Sequence, residues 1–346
     1  VGSSVGLSAP LRLGRGRTLR ALGLLVGLGL LVLIALLSIW VGARELGFTS
    51  VWRVLWHPDS SIDSTIIREL RVPRTLLGLE AGVALGLAGA LMQGLTRNPL
   101  ADPGLLGVEL GASAAIVVAI AYLGVVTAAG YVWFALAGAA AVSVLVYLLG
   151  TAGRGRASPE RLVLAGTAIG AALGSLVYAI TLLHPAAFNA YRFWVVGSLN
   201  GRPMEVVVQL APFVVVGVLV ALSLAQPLNA MALGDEAGRA LGVHIGRTRA
   251  LGALAVTLLC GAATAGAGPI TFIGLIVPHG VRMLVGPDQR WVLPYSMVLA
   301  PILLLGADIA GRVVARPAEL EVGIVVVAIG APIFILLARR RRLAQL

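Results

Sequence analysis

An all-α polytopic membrane protein crossing the bilayer about ten times, as one domain over residues 1–346, is the fold class this sequence predicts, and three observations predict it. Charged residues make up 12% of the chain and hydrophobic ones 59%, where a soluble domain carries roughly 25% charged. That leaves too little polar surface to cover a globule of this size, and a lipid-facing surface removes the shortfall. The apolar residues also fall in runs of spanning length, near 21–41, 72–95, 105–125, 130–150, 162–183, 205–225, 250–267, 270–285, 292–311 and 321–338. Finally, the basic residues cluster between these runs rather than along one face, which is the topology signal of a membrane protein.

The elements follow in order. Arg12, Arg15, Arg17 and Arg20 precede the first run. That run is longer than a signal-peptide core of roughly 7–15 residues and no small-residue cleavage site follows, so it reads as a retained first span behind a cytoplasmic segment 1–20. Glycines recur at four-residue spacing, Gly82 with Gly86, Gly107 with Gly111, then Gly166, Gly170 and Gly174, which reads as close helix packing in lipid. The shortest run, 270–285, has Pro269 at its edge and Pro278 inside it. Such a helix is tolerated only inside a protein bundle or beside a cavity. Each half holds a long span followed by a short interrupted one (72–125 and 250–285), a hint of internal duplication. With a cytoplasmic N-terminus, seventeen of the 26 basic residues fall on inner segments and nine (Arg44, Arg53, Arg68, Arg71, Arg74, Arg192, Arg202, Arg312 and Arg316) on outer ones. This favours both termini in the cytoplasm.

Composition excludes several functions. The net charge of +11 is carried by arginine alone, in scattered clusters, which argues for topology and against a nucleic-acid partner. A phosphate-binding Walker loop needs a lysine, and the chain has none. Any ATPase that drives it is therefore another polypeptide. Cys260 is the single cysteine, so no internal disulfide or cysteine-based zinc site is expected, and it reads as a small buried apolar side chain. The histidines form no metal-ligand pair at helical spacing, and a hydrogen bond from His279 to backbone freed by Pro278 is the expectation there. No constellation of a membrane-embedded enzyme is present.

Five motifs occur in register. They are Arg71-Val-Pro-Arg-Thr75 with Gly82 to Gln93; Arg97-Asn-Pro-Leu-Ala-Asp-Pro-Gly104 with Leu106-Gly-Val108; Ala232-Leu-Gly234 with Ala240-Leu-Gly-Val243; Gly268-Pro-Ile-Thr-Phe-Ile-Gly-Leu-Ile-Val-Pro-His279 with Arg282; and Ala307-Asp-Ile309 with Arg312, Glu319-Leu320 and Gly330-Ala-Pro332. From about residue 65 onward the chain resembles the iron-siderophore and cobalamin permease family of ABC importers, the FecCD type. The stretch Gly86 to Leu100 is most similar to siderophore permeases of the ferric-enterobactin kind.

That resemblance implies a ten-helix type II importer subunit in a bacterial inner membrane. It pairs with a second permease subunit, a paralogue in preference to a second copy. Two ATP-binding subunits lie below it and an extracytoplasmic siderophore-binding protein above. This chain itself binds no cofactor, since ATP and magnesium belong to the partner subunits. Arg71, Arg74 and Arg312 are implied to receive carboxylates of the binding protein, a task that suits rigid guanidinium forks, with interfacial snorkelling as the alternative. The cytoplasmic segment 226–249 is implied to carry the ATPase signal, through Gly234, Asp235, Glu236, Ala240, Leu241, Gly242 and Val243. Gly234 and Gly242 suit turns at the ends of a short helix. The gate is implied at Asn98 and Leu100 and at Ser158, Pro159 and Glu160, where Pro159 and Glu160 depart from the small hydroxyl residues common in the family.

Three acids lie within proposed spans. Asp308 is spaced for an i,i+4 pair with Arg312, while Glu80 and Glu109 either line the path or face one another. A proton relay through these acids would make the chain a gradient-driven secondary transporter instead. Such a transporter has no use for the coupling segment. Haem and cobalamin remain alternative substrates.

Overall fold

The computed structural model describes residues 12–57, 59–125, 127–151 and 159–339. In chain order the helices are α1 (Arg12–Trp40), α2 (Phe48–Trp56), α3 (Ile62–Thr65), α4 (Val72–Thr96), α5 (Val108–Leu123), α6 (Ala128–Thr151), α7 (Pro159–Leu183), α8 (Pro185–Trp194), α9 (Met204–Ser223), α10 (Ala225–Ala232), α11 (Asp235–Ala240), α12 (Ile245–Ala267), α13 (Ile273–Val285), α14 (Gln289–Val314) and α15 (Val322–Arg339). A π-helical turn, Ile66–Arg71, joins α3 to α4, and a short 3-10 turn, Pro103–Leu106, precedes α5. Among the described residues there is no strand.

Among the described residues seven helical stretches are long and apolar enough to cross a membrane, and α5, α13 and α15 are shorter apolar helices. Burial separates the hub from the rim. In α3 to α4, 78% of the most apolar window is buried, and in α12 67%, against 6% in α1 and 22% in α7. The hub is possible because α4 is lined with small residues, which let backbones approach where lipid supplies no hydrophobic drive between helices. A Cβ on Gly82 would stand 2.7 Å from the nitrogen of Pro301, and one on Gly86 2.6 Å from the carbonyl of Ser296, both on α14. A Cβ on Gly89 would run into the carbonyl of Gly274 on α13. Gly111 meets Gly138 of α6 in the same way, but Gly174 of α7 faces open space. The spacing predicts close packing for the whole α7 run, and at Gly174 that packing is not made because this face of α7 has no neighbour among the described residues.

The segment between the first two spans is structured in a way its composition does not suggest. α2 buries Val51 and Val54 and exposes Phe48, Trp52 and Trp56, whose rings lie against one another along one face. This is the pattern of a helix lying in the membrane interface, its aromatic rings at headgroup depth.

Candidate functional site

Two regions gather the chemistry, one at each end of the bundle. At one end, α1 stops at Trp40 without a glycine cap, which leaves its last carbonyls without helical partners. Two arginines satisfy them. Arg71 donates to the carbonyls of Ile39 (3.1 Å), Trp40 (2.5 Å) and Arg44 (2.6 Å). Arg312 donates to the carbonyls of Ser38 (2.7 Å) and Val41 (2.8 Å) and to the Ser38 hydroxyl (2.7 Å). Cations at a helix C-terminus also oppose its negative pole. Arg74 forks onto Asp308 (Nη2–Oδ1 2.8 Å) and reaches Glu319 (2.5 Å). The Asp308–Arg312 pair closes at 2.7 Å, as the i,i+4 spacing predicts.

The expectation that Arg71, Arg74 and Arg312 present free forks to another protein is therefore corrected. They are 5%, 6% and 1% exposed, and the hydrogen bonds they make go to groups within the chain, while the Nε of Arg312 is buried without a partner among the described residues. The physical reason is Asp308. It is wholly buried, and a carboxylate inside the bilayer needs cationic partners, while the α1 carbonyls need donors. Exposed arginines at this end are Arg44, Arg53, Arg68, Arg192 and Arg316, of which Arg44 pairs with Asp63 and Arg316 with Glu45.

Between the two ends lies a repair that sequence reading missed. Pro278 has no N–H to offer the carbonyl of Gly274, one turn earlier. Gln93 of α4 supplies the donor. Its Nε2 bonds the carbonyls of Gly274 and Leu275, both at 3.1 Å, and its Oε1 accepts from Arg282. His279 does not make the expected bond to freed backbone. Its Nδ1 is buried without a hydrogen-bond partner among the described residues, because Gln93 already holds the carbonyl.

At the opposite end of the bundle, α10 and α11 occupy the predicted segment, and the last residues of that segment open α12. Gly234 (φ +106°) and Gly242 (φ +84°) form the turns on either side of α11, where a side chain would be strained. Asp235 takes Arg97 (3.1 Å) from the end of α4, Arg249 (2.9 Å) from α12, and Arg239 (4.0 Å) one turn on. Asn229 of α10 bonds Asp288 (2.7 Å) and the backbone N–H of Gln289 (2.8 Å), so α10 is fixed to the start of α14. Asp288 in turn holds Arg290 (2.7 Å), and bonds from Arg290 and Asn229 pull its carboxyl down to about 2. The segment is thus tied by polar bonds to α4, α12 and α14. Glu236, Ala240 and Leu241 are exposed, and Val243 is half-buried.

The turn after α4 is closed by Asn98, whose side chain accepts from the N–H of Leu100 (2.9 Å) and whose carbonyl accepts from Ala101 (3.1 Å). Leu100 is 38% exposed. Ser158 lies outside the described residues, as do the side chains of Pro159 and Glu160 at the start of α7. Glu80 and Glu109 do not face one another. Glu109 lies beside Gly104, near the turn that follows α4, and Glu80 is sixteen residues up α4 from Thr96, a rise of about 24 Å. One oxygen of Glu80 is buried without a partner among the described residues. Cys260 is buried and free.

The FecCD transport family matches residues 30–340. The chain is 49% identical to the ferric enterobactin transport system permease protein FepD of Escherichia coli (strain K12), covering 91% of this chain and 94% of that protein. It is 38% identical to the probable siderophore transport system permease protein YfiZ of Bacillus subtilis (strain 168), over 85% and 90% of the two. A solved metal-chelate type ABC transporter in an inward-facing conformation superposes with a TM-score of 0.79 at 27% identity, covering 91% of this chain and 98% of that one.

Proposed function

The chain belongs to the FecCD transport family, and we propose that it is the membrane-spanning permease subunit of an ATP-driven importer that brings a ferric-siderophore complex into the bacterial cytoplasm. The observation that carries this reading is the 49% identity to a ferric enterobactin permease over 94% of that protein. In this reading the chain crosses the inner membrane ten times with both termini in the cytoplasm. α5, α13 and α15 serve as short spans inside the bundle, where protein rather than lipid surrounds them.

A second permease subunit, a paralogue, covers the face of α7 that has no neighbour among the described residues. Exposed Thr167, Ala171 and Ser175 support this, since small and hydroxyl residues favour helix contact in lipid. The siderophore-binding protein docks on the outer face, where Arg44, Arg53 and Arg68 are exposed. Two ATP-binding subunits seat against α10 and α11. When ATP closes them, the polar bonds of Asp235, Asn229 and Asp288 carry the displacement to α4, α12 and α14. The substrate then leaves past the turn at 97–104, with Ser158, Pro159 and Glu160 opposite. Glu80 and Glu109 face the path at different depths. ATP supplies the differential stabilisation that any two-state switch requires.

The test is uptake of radioactive iron, presented as a panel of siderophores, into cells lacking this gene and cells in which it is restored. Restored uptake of one ferric complex that stops on ATP depletion, and persists when the proton gradient is collapsed, is the expected result. Uptake lost with the gradient alone would convert the protein to a secondary transporter. Restored uptake of haem or cobalamin, with none of iron complexes, would replace the substrate.

A further inference from the structure

Beside the coupling segment lies a cavity of about 300 Å³ between α4, α6 and α12. Met92, Leu95, Leu106, Leu162 and Leu258 form its apolar wall. Its rim carries Val144 and Leu254, 57% and 48% exposed, so it opens on the outside of the bundle. Polar side chains break the apolar lining at Thr96, Ser143, Thr257, Tyr147 and Arg249. The hydroxyl of Ser143, a residue 6% exposed, has no hydrogen-bond partner among the described residues. The hydroxyls of Thr96 and Thr257, by contrast, bond the carbonyls of Met92 and Ala253 in their own helices. A buried hydroxyl left without a partner is uncommon and costly.

At its cytoplasmic end the cavity shares Tyr147 and Arg249 with a second, polar recess lined by Arg239, His244 and Arg247. Among the described residues charge there is unbalanced. Arg97, Arg239 and Arg249 all stand within 4.0 Å of the single carboxylate of Asp235, Arg247 adds a fourth guanidinium, and Glu236 is the other acid of α11.

We propose that this is a binding site for an anionic glycerophospholipid of the cytoplasmic leaflet, with one acyl chain in the α4–α6–α12 cavity and the phosphate on Arg247 and Arg249. The order of chemistry along α6 fits such a molecule. Tyr147 marks the headgroup level, and Ser143, one turn or about 6 Å deeper, meets an ester carbonyl. Ala140 and the apolar wall then follow the chain. Guanidiniums at the cytoplasmic surface attract anionic lipids, and their fork matches a phosphate. The lipid completes the charge around Asp235 and so stiffens the link between α11, α4 and α12. That consequence for coupling rests on the function proposed above. The binding itself does not.

The experiment is native mass spectrometry of the importer, this chain with its co-expressed partner subunits, after incubation with equal amounts of phosphatidylglycerol and phosphatidylcholine. The expected result is preferential retention of phosphatidylglycerol by about tenfold, the scale of one charge-assisted contact. Ala253→Trp, which fills the cavity, and Arg247→Gln, at an exposed position, each remove most of that preference, and Ser143→Ala weakens retention. Equal retention of the two lipids would overturn the proposal, as would unchanged retention in both Ala253→Trp and Arg247→Gln. If Ala253→Trp does not assemble, Arg247→Gln and Ser143→Ala decide. Loss of an ATP-binding subunit from Arg247→Gln with lipid retention intact would make the recess a protein interface and end the lipid reading. Iron uptake is not read in this assay, so an error in substrate or energy source leaves its outcome unaffected.

Discussion

Asp308 holds two guanidiniums inside the bilayer, Arg74 at 2.8 Å and Arg312 at 2.7 Å, and Arg312 also carries the carbonyls of Ser38 and Val41. Removing one member of such a set leaves desolvated groups unpaired. Arg312→Met is expected to cost about 3–5 kcal/mol, read as a lowered melting temperature of the detergent-purified protein. Arg44→Gln, which breaks an exposed 3.5 Å pair with Asp63, is expected to change stability by at most about 1 kcal/mol. Equal losses in the two variants would reject the structural role of the buried cluster. Asp288 supplies a pH dependence. Its folded value lies near 2, below the ordinary 3.8, so its contribution is fully present above about pH 4 and is lost as pH falls through 2. Asp288→Asn is therefore expected to flatten the acid limb of the stability profile and leave the slope between pH 5 and 8 unchanged.

α13 shows how an element broken by its own sequence is completed by another. Gln93→Ala leaves the Gly274 carbonyl without its donor and is expected to cost about 1–3 kcal/mol. Pro278→Ala restores an N–H one turn on, so the double variant should lose less than the sum of the two singles. Strict additivity in that thermal double-mutant cycle would refute the repair. Glycine positions offer a second contrast. Gly89→Ala drives a methyl into the backbone of α13 and is expected to destabilise by about 1–3 kcal/mol, whereas Gly174→Ala enters open space and should stay within about 0.5 kcal/mol. Hydrophobic runs and glycine spacing made these helices legible. Which glycines touch a neighbour was not, because a four-residue period identifies a helix face without saying what lies against it.

At the scale of the whole molecule, α10 and α11 are tied by polar bonds to α4, α12 and α14, through Asp235, Asn229 and Asp288. A displacement there has a path into the bundle. Gly242 sits at φ +84°, where a β-branched residue is strained by roughly 1–3 kcal/mol. Gly242→Val is expected to leave ATP hydrolysis by the assembled importer running while iron uptake falls at least about tenfold, a loss worth roughly 1.4 kcal/mol of coupling. Normal uptake in that variant would remove the coupling role of the segment.

The sequence by itself determined the all-helical membrane class, the place of the α10–α11 segment along the chain and the family, because membrane insertion is written in local composition and the motifs are contiguous. It also placed the Asp308–Arg312 pair, which is one helical turn long. Only the tertiary structure decided what the outer arginines do. Arg71 and Arg312 cap a helix that ends near residue 40, and Arg74 meets an acid 234 positions away. The same holds for Gln93, 181 positions from the carbonyl it serves, and for the cavity beside α12. A buried polar group takes whatever partner the packing brings within reach, and no local pattern in the chain records which one that is.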